Sequence, residues 1–335
     1  MQIHLGYVQL TAIPKPTPST LRAIQDAITA SNDGFESVGI AAGDIGTECD
    51  RELWLKFRRA SAPEEITWRT RRIFERGNIE EERLIDLLRA AGMEVTDQQA
   101  RARDCGGHLR GKIDGQVMGV PEAPVKKHVL ECKSAKAESF RKVAKLGVKE
   151  GNPKHYATMQ FYMHKRGLER CLYMVTNKDD EDIYSERVHY DIHFASRSIA
   201  RINRIIAATR PPVRLCGKPD DFRGALCRQH AVCWHLEMPR RHCRTCISST
   251  PLMSGDADWD CEYHGKPLGL GEQEAGCSAH LFLPDLVPGV QVDYDAEART
   301  VTYGMADGAT WVDGLQESAS EDLPDDTTKT LDKTW

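Results

Sequence analysis

The chain has 335 residues, 40% hydrophobic and 28% charged, enough apolar material for one large or two smaller cores, which excludes wholesale disorder. Its net charge of −5 is local: between Asp313 and Trp335 seven acids face only Lys329 and Lys333, so the rest is neutral overall and carries no strong single-sign field. No apolar run approaches the roughly 20 residues that span a bilayer, and Met1 to Leu10 lacks the charged head and apolar core of a signal peptide, so a cytoplasmic protein with no membrane partner is expected.

Pro14, Pro16 and Pro18 describe an extended arm, after which Ser19-Thr20 caps a helix from Leu21 to about Ala30. Residues 1–42 therefore read as an N-terminal arm and helix. Apolar spacing at Ile73, Ile79, Leu84, Leu87 and Leu88 predicts an amphipathic helix that stops before Gly92, and Met93 to Thr96 starts an extended segment. Strands are expected from His108 to Met118 and from His128 to Ser134. A polar, basic helix begins at Ala137 and runs to the break at Gly151-Asn152-Pro153, where a second helix, His155 to Lys165, starts. Strands from Cys171 to Thr176 and Ile183 to Tyr190 flank the turn-rich Asn177 to Glu181. A helix from about Phe194 to Ala208 then ends at Pro211-Pro212. This order implies an α/β fold over residues 43–212, a mixed central sheet flanked by helices. Six Lys or Arg between Lys56 and Arg72, and seven between Lys133 and Lys154, are either phosphate-tracking patches or solvated helix faces.

Beyond Pro212 the composition changes, with seven of the eleven cysteines between Cys216 and Cys277. In a reducing compartment, clustered cysteines with polar spacers hold metal more often than they form disulfides. Residues 213–284 accordingly read as a separate, metal-dependent module. Cys243 and Cys246 make a C-x2-C knuckle, Cys261 and Cys277 follow, and His280 can substitute for the last. That is the spacing of a tetrahedral structural zinc site with no open position for catalysis. Cys105, Cys132 and Cys171 have no partners at metal spacing and read as packing. Alternation in Val290-Gln291-Val292 and Thr300-Val301-Thr302-Tyr303 gives residues 285–335 a small β appendage before the acidic tail.

The chemistry concentrates in two neighbouring strands. Gly111-Lys112-Ile113-Asp114-Gly115 is followed by Val129-Leu130-Glu131-Cys132-Lys133, and Glu131 and Lys133, two apart, share a strand face. Glu131 follows two apolar residues in a strand expected to be half or fully buried, so its ionised form needs a cation, which Asp114 can share. Two carboxylates holding Mg²⁺ beside a lysine that orients water make a working site for phosphodiester hydrolysis. The plainer reading is an acid in a hairpin turn and a surface Glu-Lys pair.

With Asp114 as the motif acid and Glu131-Cys132-Lys133 as ExK, the arrangement resembles the PD-(D/E)xK nuclease superfamily, in its phage recombination exonuclease and RecB-like branch. The resemblance spans roughly Gly43 to Ala208 and implies a restriction-endonuclease-like core. Gly77-Asn78-Ile79-Glu80-Glu81 resembles the upstream helix motif and assigns its metal-associated glutamate to Glu81, with Glu80 as the off-by-one alternative. His155 to Met163 resembles the helix that closes the site, with its glutamine at Gln160 and Thr158 where some relatives carry a second glutamine. The resemblance implies Mg²⁺ or Mn²⁺ held by Glu81, Asp114, Glu131 and the Cys132 carbonyl, with Lys133 positioning water. The implied activity is that of a DNA exonuclease in phage-type recombination or DNA processing. The implied partners are DNA, a single-strand annealing or recombination protein and a second copy of the chain, in the host cytoplasm if a phage encodes it.

Gly46-Thr47-Glu48-Cys49-Asp50-Arg51-Glu52-Leu53-Trp54 resembles the N-terminal cysteine motif of related nucleases that bind a [4Fe-4S] cluster. In these, one early cysteine joins three after the core, commonly CxxC and a further cysteine. Cys227 and Cys233 keep the last spacing, but Gly224 stands at the first CxxC position, leaving Cys216, His230 or His235 as the fourth ligand. Thiolates suit both iron-sulfur clusters and zinc. Two other functional classes stay open: a zinc-bearing DNA-binding or assembly module that no longer cuts, and an iron-sulfur protein with redox or sensing work.

Overall fold

The computed structural model describes residues 18–30, 38–63 and 66–314; most of the expected arm, and the acidic tail from residue 315, lie outside them. Helix α1 (Ser19–Ala30) buries none of its side chains. Next come β1 (Ile40–Ala41), α2 (Asp50–Phe57) and α3 (Trp68–Ala90), then the short strands β2 (Glu94–Thr96), β3 (Arg101–Asp104), β4 (Leu109–Lys112) and β5 (Gly115–Met118). The long strand β6 (His128–Ala135) leads through α4 (Ala137–Leu146), α5 (Val148–Gly151) and α6 (Pro153–Arg166) to β7 (Arg170–Asn177), β8 (Ile183–His189) and α7 (Ile192–Ala207).

Five strands form a mixed sheet in the order β2-β5-β6-β7-β8. Only β6 and β7 run parallel, because the three helices between them carry the chain back across the sheet, as a parallel pair requires. A second sheet, β1-β4-β3, lies beside it. The mixed α/β architecture is thus the expected one, with local differences. The stretch read as one strand from His108 to Met118 is two, and they belong to different sheets; the chain crosses between the sheets at Ile113-Asp114. The helix read from Ala137 to Gly151 breaks at Gly147, whose φ of 73° is a left-handed conformation that glycine adopts without strain.

Helix α3 was expected to bury Ile73, Ile79 and Leu87 with Leu84 and Leu88. Instead Leu84, Ile85 and Leu88 pack with Leu130, Cys132, Leu172 and Met174 of the central sheet, while Ile73, Ile79 and Leu87 are exposed. Only the C-terminal half of this 23-residue helix lies over the sheet, so only there does the apolar stripe find a core. In contrast, α6 is buried continuously from Tyr156 to Met163.

After α7 come α8 (Phe222–Ala225), α9 (His230–Cys233), the antiparallel sheet of β9 (Ser249–Pro251), β10 (Trp259–Cys261) and β11 (Lys266–Leu268), and α10 (Leu270–Ala275). A meander of β12 (Gly289–Asp295), β13 (Thr300–Met305) and β14 (Thr310–Asp313) ends the described chain. The change of composition at Pro212 is crossed by the packing: Val232, Trp259, Leu268 and Leu286 share one hydrophobic cluster with Trp54, Phe57, Leu109 and Phe161. Fully buried Arg244 locks this junction. Its guanidinium donates to Phe57 O at 3.2 Å, Val38 O at 3.0 Å and Gln273 Oε1 at 3.0 Å, and it lies 5.2 Å from the centre of the Trp259 ring. A desolvated cation over an indole face contributes about 2 kcal/mol. Among the described residues no helix is long and apolar enough to cross a membrane.

Candidate active site

Asp114 stands where the chain passes from β4 to β5, outside either ladder, and it is nearly buried. Its Oδ2 accepts a 2.6 Å hydrogen bond from Cys132 N, which ties the crossing to β6. On β6, Leu130 and Cys132 face the α3 side. Strand alternation turns Glu131 and Lys133 to the opposite face. Glu131 is 2% exposed. The ammonium of Lys133 lies 2.6 Å from Glu131 Oε1 and 3.7 Å from Asp114 Oδ2, and it donates to Cys132 O at 3.0 Å. The other carboxylate oxygen of Glu131, Oε2, is buried with no hydrogen-bond partner.

Of the adjacent glutamates on α3, Glu80 turns to Arg83, at 3.2 Å. Glu81 accepts from Gln99 Nε2 at 2.9 Å and lies within electrostatic reach of Asp114 and Lys133. Gln99 holds a φ of 57°, strained for a residue with a Cβ. The sequence reading missed it, and no local signal marks it.

Burial, then Asp114, pushes the Glu81 carboxyl up to about 7, against Gln99 and Lys133. Burial likewise raises Glu131 to about 7; Lys133 opposes, and Asp114 adds to the rise. Burial alone would lower Lys133, but Glu131 and Asp114 outweigh it and keep the ammonium charged well above its usual range. The proton exchanged near neutrality therefore belongs to the carboxylates as a group.

Two further residues reach this site without having been singled out for it. Tyr173 pairs in register with Glu131 across the parallel β6–β7 ladder, and its hydroxyl is 2.7 Å from His155 Nδ1 at the start of α6. Burial and the nearby Lys133 hold His155 down at about 4, so the pair adds no charge at neutral pH. Gln160 is not drawn to the carboxylates: its Nε2 donates to His189 O at 2.8 Å, and its Oε1 accepts from Asp191 N at 2.7 Å. It thereby joins the end of β8 to the start of α7. Thr158 donates to Ala42 O and Lys154 O.

The cysteines form two groups. Burial and the charges of Cys246, Cys277 and Cys261 raise the Cys243 thiol to about 12, so these four face one another across β10 and the turns beside it. Main-chain N–H groups of Leu281 and Ser248 favour the Cys246 thiolate. His280, the proposed substitute, has its Nε2 3.3 Å from Thr245 Oγ1 and its ring 4.6 Å from that of Phe282, with no thiol among these neighbours. The second group, Cys49, Cys216, Cys227 and Cys233, lines a cavity of about 430 Å³. Among the described residues, no three His, Cys, Asp or Glu side chains already converge tightly enough to cage a metal ion. Lys133 stands among the acids, and the Cys243 thiol donates to Glu272 O at 3.3 Å.

No family model matches the sequence, and no curated protein matches it. Solved structures similar to the chain include the alkaline exonuclease LHK-Exo from Laribacter hongkongensis, at 14% identity and a TM-score of 0.37 over 54% of this chain and 91% of that one. LHK-Exo in complex with dAMP matches at 14% identity and a TM-score of 0.35, over 56% and 91% of the two chains. The protein SSO0001 matches at 14% and 0.37, over 64% and 96%. At these scores the likeness decides nothing about this chain.

Proposed function

We propose that the chain is a divalent-metal-dependent nuclease that hydrolyses phosphodiester bonds in DNA. The observation that supports this is the unpartnered Oε2 of Glu131, buried beside Glu81 and Asp114. A buried carboxylate oxygen without a donor is costly. The all-oxygen set of Glu81, Asp114, Glu131 and the Cys132 carbonyl suits Mg²⁺ or Mn²⁺. When bound, such an ion supplies Lewis-acid polarisation of the phosphodiester.

Lys133 is the charged donor of the site. Anchored by Glu131, its ammonium orients the attacking water and stabilises negative charge as the in-line displacement proceeds; held protonated, it does not serve as the base. Asp114 fixes the main chain at Cys132 and so sets where Lys133 emerges. Exposed Arg141, Lys142 and Lys145 on α4, the helix that follows β6 directly, track the phosphates. Phosphate contacts of this kind carry little sequence information, so cleavage has low sequence preference.

The finer reading, an exonuclease in phage-type recombination beside an annealing protein, rests on the sequence resemblance. Cys243, Cys246, Cys261 and Cys277 complete the proposal as ligands of a structural zinc, whose contribution is to folding.

Digestion of end-labelled linear and circular DNA with Mg²⁺, with EDTA and with Asp114→Ala tests the reading. Mg²⁺-dependent release of label by the wild type alone is expected; loss from linear DNA only identifies an exonuclease. No cleavage by folded wild-type protein with either metal, or equal cleavage by Asp114→Ala, refutes it.

A further inference from the structure

Three separate segments converge on the cysteine-lined cavity: Gly46 to Glu52, Pro153-Lys154, and the chain from Arg214 to Trp234. Cys49 caps α2, its Sγ accepting from Glu52 N at 3.4 Å, so a thiolate there meets the positive end of that eight-residue helix. After burial, the charges of Cys49 and Cys233 act on both Cys216 and Cys227, which places the four sulfurs around one space. Arg214 holds the Cys233 carbonyl through Nε at 3.0 Å and Nη2 at 2.7 Å. Lys154, Arg214 and Arg223 give the wall three cations against Glu48 and Glu52.

A Cys-x2-Cys pair ending at Cys227 has its first position at Gly224. A Cβ placed on Gly224 stands only 3.1 Å from Cys216 Sγ and 3.7 Å from Cys216 Cβ. The sulfur of Cys216 therefore projects into the volume next to the position where that pair's first side chain would begin. We propose that Cys216 is the fourth thiolate, with Cys49, Cys227 and Cys233, of a polynuclear iron-sulfur cluster, and that glycine at position 224 makes the room for it.

The other two candidates for this place are engaged differently. His230 reaches the cavity wall, but its Nε2 is bound to Pro219 O at 2.8 Å. His235 is not part of the wall; its neighbours are Arg214, Arg51 and Leu286. A single zinc with sulfurs at about 2.3 Å draws four thiolates onto one point and leaves no void. Four sulfurs around an open cavity of about 430 Å³ leave space for more than one ion, and an all-thiolate set suits an iron-sulfur cluster. Such a cluster with its four thiolates is anionic, and the cationic wall compensates it. Its role is that of a clasp joining the start of the catalytic core to the segment after α7; no electron transfer is involved.

The test uses full-length protein purified anaerobically, with visible spectra and iron, sulfide and zinc analysis. The wild type is expected to be brown with about four irons and four sulfides per chain. Cys216→Ser loses most of the colour and iron, and Cys216→Ala combined with Gly224→Cys, which returns the sulfur to the other side of the contact, regains them. Should Cys216→Ser prove insoluble, the double variant decides: soluble and brown supports the assignment, insoluble or colourless overturns it. A colourless, iron-free wild type, zinc in place of iron, or Cys216→Ser with wild-type iron content also overturns it. Asp114→Ala keeps the cluster whether or not the wild type cleaves DNA, so failure here and failure of the nuclease reading are separate results.

Discussion

Replacing Glu131 by glutamine separates what this carboxylate costs the fold from what it does. In the folded, metal-free protein its pKa rises from 4.5 to about 7, so the native state holds a proton that the unfolded chain has released. Below 4.5 both states are protonated and the group has no effect. As pH rises toward 7 an unfavourable contribution grows, and above 7 it is complete. At about 1.4 kcal/mol per pKa unit the full effect is about 3 kcal/mol. The Glu131→Gln substitution removes it but leaves Lys133 with Asp114 alone, at 3.7 Å; the lysine side chain is 32% exposed and can hydrate. The net gain expected for the metal-free variant at pH 8 is therefore about 1–3 kcal/mol, or a few degrees in Tm. Thermal melts in EDTA at pH 5 and pH 8 read this directly: the variant melts higher at pH 8, and the two proteins converge at pH 5. Added Mg²⁺ raises the wild-type Tm by mass action and leaves the variant unchanged, and the variant no longer cleaves DNA. A variant no more stable than wild type at pH 8, or one that cuts at the wild-type rate, would falsify the assignment of Glu131 as a buried ligand.

Lys133→Ala is expected to lower cleavage by about 10²–10³-fold while Mg²⁺ still raises its Tm, because the ammonium stabilises the displacement without itself holding metal; unimpaired cleavage, or loss of the Mg²⁺ effect, contradicts that role. Arg244→Ala removes three hydrogen bonds and the stacking on Trp259, leaving buried acceptors unpaired; urea unfolding should show a loss of at least about 3 kcal/mol, and a loss under about 1 kcal/mol would show that the junction is not held there. Cys246→Ser should release one zinc per chain and lower solubility, whereas Cys277→Ser with His280 intact distinguishes the ligand sets: retained zinc would bring His280 back as the substitute, against its present contacts with Thr245 and Phe282.

Some of the site is local and could be read from residue order alone. The i, i+2 spacing of Glu131 and Lys133 puts them on one strand face whatever surrounds the strand, because alternation is a property of extended backbone. The Cys243 and Cys246 knuckle is legible for the same reason: one turn brings both sulfurs together. The choice between Glu80 and Glu81 is of another kind. Adjacent helical side chains differ by about 100° in direction, and what aims Glu81 toward Asp114 is the docking of Leu84, Ile85 and Leu88 on the central sheet. Periodicity could not locate that docking, since Ile73, Ile79 and Leu87 fit a stripe equally well and stay exposed. Nor could it show that Asp114 bridges two sheets, or that both ends of the Gln160 amide bind main chain. Spacing is silent, too, on Cys216 lying against Gly224. Such juxtapositions depend on long-range packing, which no local pattern encodes. Chain order fixed the chemical inventory and its local directions; the packing of α3, α6 and the segment after Pro212 decided which of those groups meet.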